Sequence, residues 1–526
     1  MSDVPLILGV SGLRGVVGEN LTPEVAVRFA AVIGTWLNEQ IPDRQPYVLI
    51  GRDGRIGGES TYTAAISGLL ATGCRVRRLG VATTPTAGTQ CDFIAADAAL
   101  VITASHNPQE WNGIKLLVRR SGWLGGDRDG REIEQVISDA CAPDGKIASE
   151  IIERFNDGKV EWWGGDQIKD SSVDDDVEHP HCVRVLDACE PVIGAEEGYF
   201  WEKFEALRTM RVVLDSVNCC GGYISGLFFE DTPCRMTNIY GEQTGRFPHI
   251  PEPTKENLSG EGGLCDAVPG LKADVGFAQD PDADRLAIVD ERGGYIGEEY
   301  TLVLCAVALM EGRIGNGQCA IGNGGGAGEK PVFVVNLSTS RMIDDVAKHY
   351  GCEVVRTAVG EANVVEVMKS LTASGRDVVL GGEGNGGVIW PQVTYVRDSL
   401  SGMALVLSLM ARTGKTVSGL VEMVNAMGPT DEVQAKGYTI IKKKSALASK
   451  ADANPVVEHL RGLYEPKDDC RVDLQDGIRI DWDTRGVWTH VRASNTEPIM
   501  RVIVEAPSQA EAEAVATEID THINTM

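Results

Sequence analysis

Four short stretches of the chain combine residue types that could do chemistry together. Thr103-Ala104-Ser105-His106-Asn107-Pro108 places a hydroxyl just after an apolar, strand-like run, Ala98 to Ile102. Open α/β sheets put ligand chemistry at that end of a strand. Asp280-Pro281-Asp282-Ala283-Asp284-Arg285 sets three carboxylates on alternate residues beside a guanidinium. Carboxylates so spaced on a loop can wrap a hard divalent cation with oxygen ligands. A hydroxyl nucleophile and a divalent-metal loop together point to phosphoryl transfer. Each has a plainer reading: the aspartates as a solvated acidic turn, Ser105 as the cap of a helix start, where a dianion would also be stabilised. A calcium EF-hand is excluded, because Arg285 stands where its loop needs glycine and Leu286-Ala287-Ile288-Val289 reads as strand.

Lys115 follows Asn112-Gly113 on another strand-like run and is either a surface charge or a proton-transfer group. The third stretch, Gly381-Gly382-Glu383-Gly384-Asn385-Gly386-Gly387, carries one carboxylate and one amide on an otherwise bare loop. That suits hydrogen bonding to vicinal sugar hydroxyls with close backbone approach, against the alternative of a flexible connector. The related run Gly322 to Gly328 lacks a carboxylate and a G-K-[ST] ending and is read as connector. The fourth, Arg492-Ala493-Ser494-Asn495-Thr496-Glu497-Pro498 with Arg501, offers two guanidinium groups, two hydroxyls and turn amides to clamp a phosphate.

The elements that must position these loops follow a repeated plan. From Tyr47 to Gly80, Met210 to Gly241 and Pro331 to Gly360 the chain reads strand, polar turn, helix, then a cysteine-bearing turn into a second strand. Each is a βαβ unit by pattern, implying parallel crossovers and three similar α/β domains in series. From Asp473 to Glu505 short strands are broken by Asp476-Gly477 and Arg485-Gly486, and a helical pattern follows from Ser508. This predicts a C-terminal α+β domain with an antiparallel sheet. The expected divisions are 1–150, 151–300, 301–428 and 429–526, the second opening with a polar, irregular insertion around 142–197 that includes Asp174-Asp175-Asp176 and carries no expected chemistry.

With 526 residues, 43% hydrophobic and 24% charged, the chain has the make-up of a soluble globular protein. No charged leader with an apolar core opens it and no apolar stretch approaches the ~20 residues of a membrane span, so a cytoplasmic protein with no membrane partner is expected. Its 13 cysteines are odd in number and contain no C-x-x-C pair, which predicts buried, reduced thiols. A net charge of −27 argues against nucleic acid as a partner. A small anion remains possible, because salt screens over ~8 Å and a local basic cluster can prevail.

Taken together, these loops in this order resemble the α-D-phosphohexomutase superfamily over nearly the whole chain. The resemblance extends to Gly12-Leu13-Arg14-Gly15, Pro251-Glu252-Pro253 with Asn257-Leu258, and Arg356-Thr357-Ala358-Val359-Gly360-Glu361. It implies a heart-shaped enzyme, three α/β domains plus the α+β domain, with its active site in a central cleft. By resemblance, Ser105 is the phosphoserine and shares one Mg²⁺ with Asp280, Asp282 and Asp284. Arg14, His106, Lys115 and Arg285 line the reaction centre, Lys115 being the expected mover of the hydroxyl proton and Glu361 a second candidate. Glu383, Asn385 and Gly387 form the sugar loop, and Arg492, Ser494, Asn495, Thr496 and Arg501 grip the distal phosphate.

The implied reaction is reversible transfer of a phosphoryl group between O1 and O6 of a phosphohexose, an isomerisation through a bisphosphorylated sugar that also serves as activator. The partner is a small phosphosugar, the expected state a monomer or homodimer. Many relatives carry serine and a closing histidine where this chain has Asn385 and Gly387, a form similar to archaeal-type phosphoglucosamine mutases or phosphomannomutase/phosphoglucomutases. Asn495 leans toward the mannose/glucose group, whereas the overall reading taken is a glucosamine phosphate. A metal-dependent sugar phosphatase and a non-catalytic phosphosugar-binding protein are the alternatives of other classes.

Overall fold

The structure, a computed structural model, describes residues 5–10, 12–120, 138–168, 173–175, 180–193, 205–317, 330–428, 437–494 and 498–525. The first domain runs β1 (Ile7–Gly9), β2 (Gly12–Val16), α1 (Pro23–Gln40), β3 (Tyr47–Arg52), α2 (Gly58–Ala71), β4 (Arg75–Val81), α3 (Thr84–Phe93), β5 (Ala98–Ile102) and β6 (Trp111–Val118). After α4 (Gly145–Asp157), β7 (Val173–Asp175), α5 (Pro180–Ile193) and α6 (Glu205–Thr209), the second comprises β8 (Arg211–Asp215), α7 (Gly221–Glu230), β9 (Arg235–Asn238), α8 (Lys255–Leu258), α9 (Leu264–Gly270), β10 (Val275–Gln279) and β11 (Leu286–Val289). The third holds α10 (Glu298–Gly315), β12 (Val332–Asn336), α11 (Met342–Tyr350), β13 (Glu353–Thr357), α12 (Glu361–Ala373), β14 (Val378–Glu383), β15 (Gly387–Ile389), α13 (Ser399–Thr413) and α14 (Val417–Asn425). The fourth is β16 (Thr439–Ala446), α15 (Ala453–Tyr464), β17 (Arg471–Asp473), β18 (Ile478–Trp482), β19 (Val487–Ala493), β20 (Ile499–Ala506) and α16 (Gln509–Asn524).

One strand arrangement occurs three times: β6-β5-β3-β4 within the first sheet, β11-β10-β8-β9, and β15-β14-β12-β13. In each, three strands pair in parallel and the last in sequence folds back antiparallel as a hairpin. The inner parallel strands are apolar on both faces, as burial under helices on either side requires, whereas the outer strands β4, β9 and β13 are half exposed and carry arginines. β5, β10 and β12 are buried at every residue. This confirms the three βαβ units, and it puts the Ser105, Asp280–Asp284 and Glu383–Asn385 turns at one equivalent place, the hairpin leaving the second inner strand. The fourth domain is an all-antiparallel sheet, β16-β20-β19-β18-β17, packed on α15 and α16 through Val456, Leu460, Val515 and Ile519. Lys442, Lys443 and Lys444 on its edge strand β16 oppose pairing with another sheet.

The segment read as polar and irregular is largely ordered where described. α4 turns Ile147, Ile151 and Phe155 onto the first core, with Phe155 edge-on to Phe29 at 5.5 Å, so a boundary at 150 falls inside this helix. Its cap is Asp144, which accepts from Ile147 N at 2.8 Å. β7, including Asp174 and Asp175, joins the first sheet parallel to β4, so this stretch is an edge strand rather than irregular chain. α5 buries Val185, Cys189 and Val192 in the core that α10 and α13 form. Burial of each such side chain contributes about 1.5–3 kcal/mol. The boundary placed at 300 likewise falls in the first turn of α10. Described cysteines are all free and ten are buried, as expected. No helix among the described residues is long and apolar enough to cross a membrane. The Gly322 to Gly328 run lies outside the described residues.

Candidate active site

Ser105 sits on the β5–β6 hairpin with φ of 49°, in the left-handed region that costs a non-glycine residue strain. Its surroundings hold it there. Ser105 N donates to Thr103 Oγ1 at 2.8 Å, and Thr103 Oγ1 donates to Asp53 Oδ2 at 2.7 Å. The buried Arg55 donates to Asp53 Oδ2 at 2.7 Å, to Trp111 O at 2.9 Å and to Ser105 O. The turn after β3 thus braces the turn after β5. No helix follows Ser105; the chain enters β6. The helix-cap reading therefore fails: Ser105 starts no helix. Arg14 donates to Asn107 Oδ1 at 3.0 Å, and His106 Nδ1 lies 3.4 Å from Ser105 Oγ. The charge of Arg285, with burial, drives His106 well below its usual range, so its ring is neutral.

Ser105 Oγ donates to Asp280 Oδ2 at 2.7 Å, which joins the first hairpin turn to the second. Asp280, Asp282 and Asp284 are fully buried, with one oxygen from each within 4.8 Å of the others. Lys115 Nζ donates to Asp282 Oδ2 and Asp284 Oδ2, both at 2.9 Å. Thr84 Oγ1 donates to Asp282 Oδ2 at 2.7 Å, and Arg397 to Asp284 Oδ2 at 2.5 Å. Burial and the two sister carboxylates push Asp280 well above the usual carboxylate range. For Asp282, burial and Asp284 act upward, and Lys115 with the Thr84 hydroxyl outweighs them. For Asp284, Arg397 and Lys115 overcome burial and hold it low. Burial alone would depress Lys115, but the two aspartates raise it. It is therefore a paired ammonium here rather than a ready proton acceptor.

Asp282 Oδ1 and Asp284 Oδ1 are buried with no hydrogen-bond partner among the described residues, and such atoms in a native fold call for a water or an ion. Three carboxylates and a serine hydroxyl make an all-oxygen donor set of the kind hard divalent cations take. The residues present fit such an ion.

The third hairpin carries the sugar-loop candidates. Glu383 Oε1 accepts from Asn336 Nδ2 at 2.8 Å and Gly360 N at 3.2 Å, and Glu383 Oε2 from Arg397 at 2.7 Å. Asn385 Nδ2 lies 3.4 Å from Glu383 Oε2, and its Oδ1 accepts from Gly387 N at 3.1 Å. Arg397 also reaches Glu361, at 3.2 Å, and so joins the aspartate loop to the Glu383 loop. Gly387 is what admits it: a Cβ there would lie 2.4 Å from Arg397 Cδ. Gly387 thus contributes room and a backbone donor, and a histidine in its place would have to displace the arginine.

Beneath the same loop, a Cβ on Gly384 would come within 2.2 Å of Glu299 Oε2, which accepts from Ser340 N at 3.1 Å. Burial pushes Glu299 from 4.5 up to about 8. The folded state keeps a proton the unfolded chain has released, so this contribution is full below 4.5 and is lost as pH rises toward about 8. Glu299→Gln is expected to flatten that slope in thermal unfolding and to stabilise the alkaline end by roughly 1–3 kcal/mol; an unchanged slope would count against it.

Arg492 and Arg501 face each other across β19 and β20, and Lys444 on β16 faces Arg501. Directly opposed residues share a sheet face, so one row of three cations crosses the sheet. Ser494 is buried, its N donating to Ile499 O at 3.0 Å, whereas Asn495 and Thr496 lie outside the described residues. His490, two residues before Arg492, bonds Ser338 Oγ at 2.8 Å and ties this sheet to the third domain.

Sequence reasoning missed Arg397, Thr84, Lys444 and the Asp53–Arg55–Thr103 brace. Thr83-Thr84-Pro85 did carry a signal, the helix-start pairing of a capping threonine with an early proline. Thr83 Oγ1 accepts from Thr86 N at 3.0 Å.

These features define a class of molecule: one buried site of a serine hydroxyl, carboxylates and cations, assembled from three copies of one hairpin. Models of the phosphoglucomutase/phosphomannomutase family match in succession, α/β/α domain I over 5–141, domain II over 199–294, domain III over 299–427 and the C-terminal domain over 442–522. The chain is 33% identical to a phosphoglucomutase/phosphomannomutase of Thermococcus kodakarensis, covering 96% of each. It is 31% identical to a probable phosphoglucosamine mutase of Methanopyrus kandleri, over 97% of this chain and 96% of that one. A phosphoglucomutase/phosphomannomutase family protein from Burkholderia thailandensis shares the fold, with TM-score 0.71 and 21% identity over 99% of this chain and 98% of that one. The chain belongs to the phosphoglucomutase/phosphomannomutase family, within the α-D-phosphohexomutase superfamily, and is an isomerase of the phosphohexomutase type.

Proposed function

We propose that this protein moves a phosphoryl group between O1 and O6 of a hexosamine phosphate, with Ser105 as the group that carries it. The observation that supports this most is the Ser105 hydroxyl held 2.7 Å from Asp280 inside a buried acidic cluster, with Lys115 bridging the other two carboxylates. A merely binding site has no use for a strained serine among buried aspartates.

In the cycle, the phosphoserine P–O bond breaks as a bond forms from phosphorus to one sugar hydroxyl oxygen, whose proton leaves. The bisphosphorylated sugar then turns end over end, and its other phosphate returns to Ser105, restoring the phosphoserine. One Mg²⁺ is the cation proposed for Asp280, Asp282, Asp284 and the serine oxygen; when bound, it neutralises charge on the transferring group. Lys115, Arg14 and Arg285 add fixed positive charge around that group, where preorganised charge acts in a dry setting. Lys115 is the proposed proton donor. Glu361, whose carboxyl burial raises despite Arg397, is the proposed acceptor. Glu383 and Asn385 orient sugar hydroxyls, and Arg492, Ser494, Asn495, Thr496 and Arg501 hold the far phosphate. A bisphosphorylated hexose would prime the serine.

Glucosamine phosphate is the preferred substrate in this reading; the Thermococcus relative's name favours glucose and mannose phosphates as the second. The deciding test offers glucosamine, glucose and mannose 1-phosphates with Mg²⁺ and bisphosphate primer, and measures 6-phosphate against free phosphate. Release of inorganic phosphate would make the protein a phosphatase, and binding with neither product would overturn the enzymatic reading. Within the same assay, Arg492→Ala is expected to raise KM roughly tenfold to a hundredfold, the worth of a charge-assisted hydrogen bond. An unchanged KM would remove Arg492 from the distal clamp.

A further inference from the structure

The aspartate loop is gripped from two sides by helix starts. On one side, Thr84 at the first turn of α3 donates to Asp282. On the other, Arg397 just before α13 donates to Asp284, and Ser399 Oγ at its first turn donates to Ala283 O at 2.7 Å. These two helices belong to different domains. Besides the apolar cluster that Ala87 and Cys91 of α3 share with Val396, a polar tie joins them: a histidine from α5, which lies between the first and second family-matched segments.

His181 is fully buried. Its Nδ1 meets Thr86 Oγ1 on α3 at 3.0 Å, and its Nε2 meets Asp398 Oδ2 at 3.0 Å. Asp398 caps α13, accepting from Leu400 N at 3.0 Å and Ser401 N at 3.1 Å, and is the covalent neighbour of Arg397. An ionised Asp398 accepts only, which puts a proton on Nε2, while Nδ1 shares a hydrogen bond with the threonine hydroxyl. The contacts close a ring: Asp282, Thr84, Thr86, His181, Asp398, Arg397, Asp284. Four of its links are hydrogen bonds; the other three follow the chain along α3, into α13 and through the aspartate loop.

We infer that His181 is a positioning residue, setting the separation of the α3 and α13 starts and thereby the spacing of Asp282 and Asp284 for a divalent cation. The inference rests on the metal-loop reading proposed above. Partners that orient ligands from behind are worth roughly tenfold to a hundredfold in metal affinity. His181→Leu fills the space and removes both hydrogen bonds. It is expected to weaken Mn²⁺ binding, followed by electron paramagnetic resonance, by roughly that factor. The KM for sugar phosphate should stay unchanged and kcat should recover at saturating Mn²⁺. His181→Gln, able to donate to Asp398 and accept from Thr86, should return the affinity to within about threefold of the original, a fraction of one hydrogen bond.

Thr86→Val deletes the hydroxyl's hydrogen bonds to His181 and Thr83 at nearly constant shape and should weaken Mn²⁺ binding in the same direction; it decides the matter if His181→Leu does not fold. Wild-type Mn²⁺ affinity in either folded variant overturns the inference. Asp282→Asn, run alongside, separates the failures. If it too binds Mn²⁺ normally, the metal-loop reading itself falls. If it alone binds weakly, only the role of His181 falls.

Discussion

Replacing Ser105 with alanine is expected to abolish mutase turnover, by at least about four orders of magnitude, as loss of a nucleophile commonly does. The fold should survive. Among the described residues Ser105 Oγ hydrogen-bonds only to Asp280 and His106, and the hairpin is braced through the backbone of residue 105 rather than its side chain. Two measurements check this: 6-phosphate formation from the preferred sugar 1-phosphate, and intact mass after incubation with bisphosphorylated hexose. The wild type should gain one phosphoryl group and the variant none. Near-normal turnover in a folded Ser105→Ala protein would end the account of the reaction given above.

Arg397→Met is expected to have the largest effect on stability. The guanidinium sits among Asp284, Glu383 and Glu361 at 2.5, 2.7 and 3.2 Å, with its side chain 9% exposed. Removing one partner of a buried ion pair leaves uncompensated charge and costs about 3–5 kcal/mol, read as a lower midpoint of urea unfolding. The sign with pH follows. Burial works to raise Glu383, and Arg397 outweighs it; without the arginine the carboxyl rises above its ordinary value. A carboxyl raised in the folded state stabilises at low pH and loses that contribution as pH rises, so the deficit should widen from acid toward neutral. Activity should fall at least about a hundredfold, since both the aspartate loop and the sugar loop lose a fixed reference. Arg397→Lys should rescue little, because a point charge cannot serve three carboxylates as a planar fork does. A variant as stable as the wild type at neutral pH would contradict this reading.

The parts of the site legible in the sequence are those whose meaning is local. Alternate aspartates, a serine after an apolar run and a carboxylate among glycines state their chemistry within a few residues, and the βαβ units follow from strand and helix periodicity. The parts not legible depend on which segments meet. Arg397 means nothing until Gly387 is found to leave room for it, and Lys444 joins the cation row only once the β16–β20 register is known. Ser105 looks like a helix cap because the chain's next element cannot be told from the hexapeptide. α5 was within reach: Cys182, Val185, Cys189 and Val192 recur at helical spacing and are buried in the structure. The surrounding charged residues mask that stripe.

The recurrence of one hairpin turn in three sheets has a consequence for how such a molecule can change. Each turn occupies the same architectural address in its own copy, so one may be rewritten while the scaffolds of the other two are left undisturbed. No copy holds two of the three ingredients, so none alone performs a fraction of the reaction, and the second and third copies even share one hydrophobic core. What the chain must preserve over time is therefore the seams where copies abut, and it is there, rather than inside any one of them, that small shifts would be felt most.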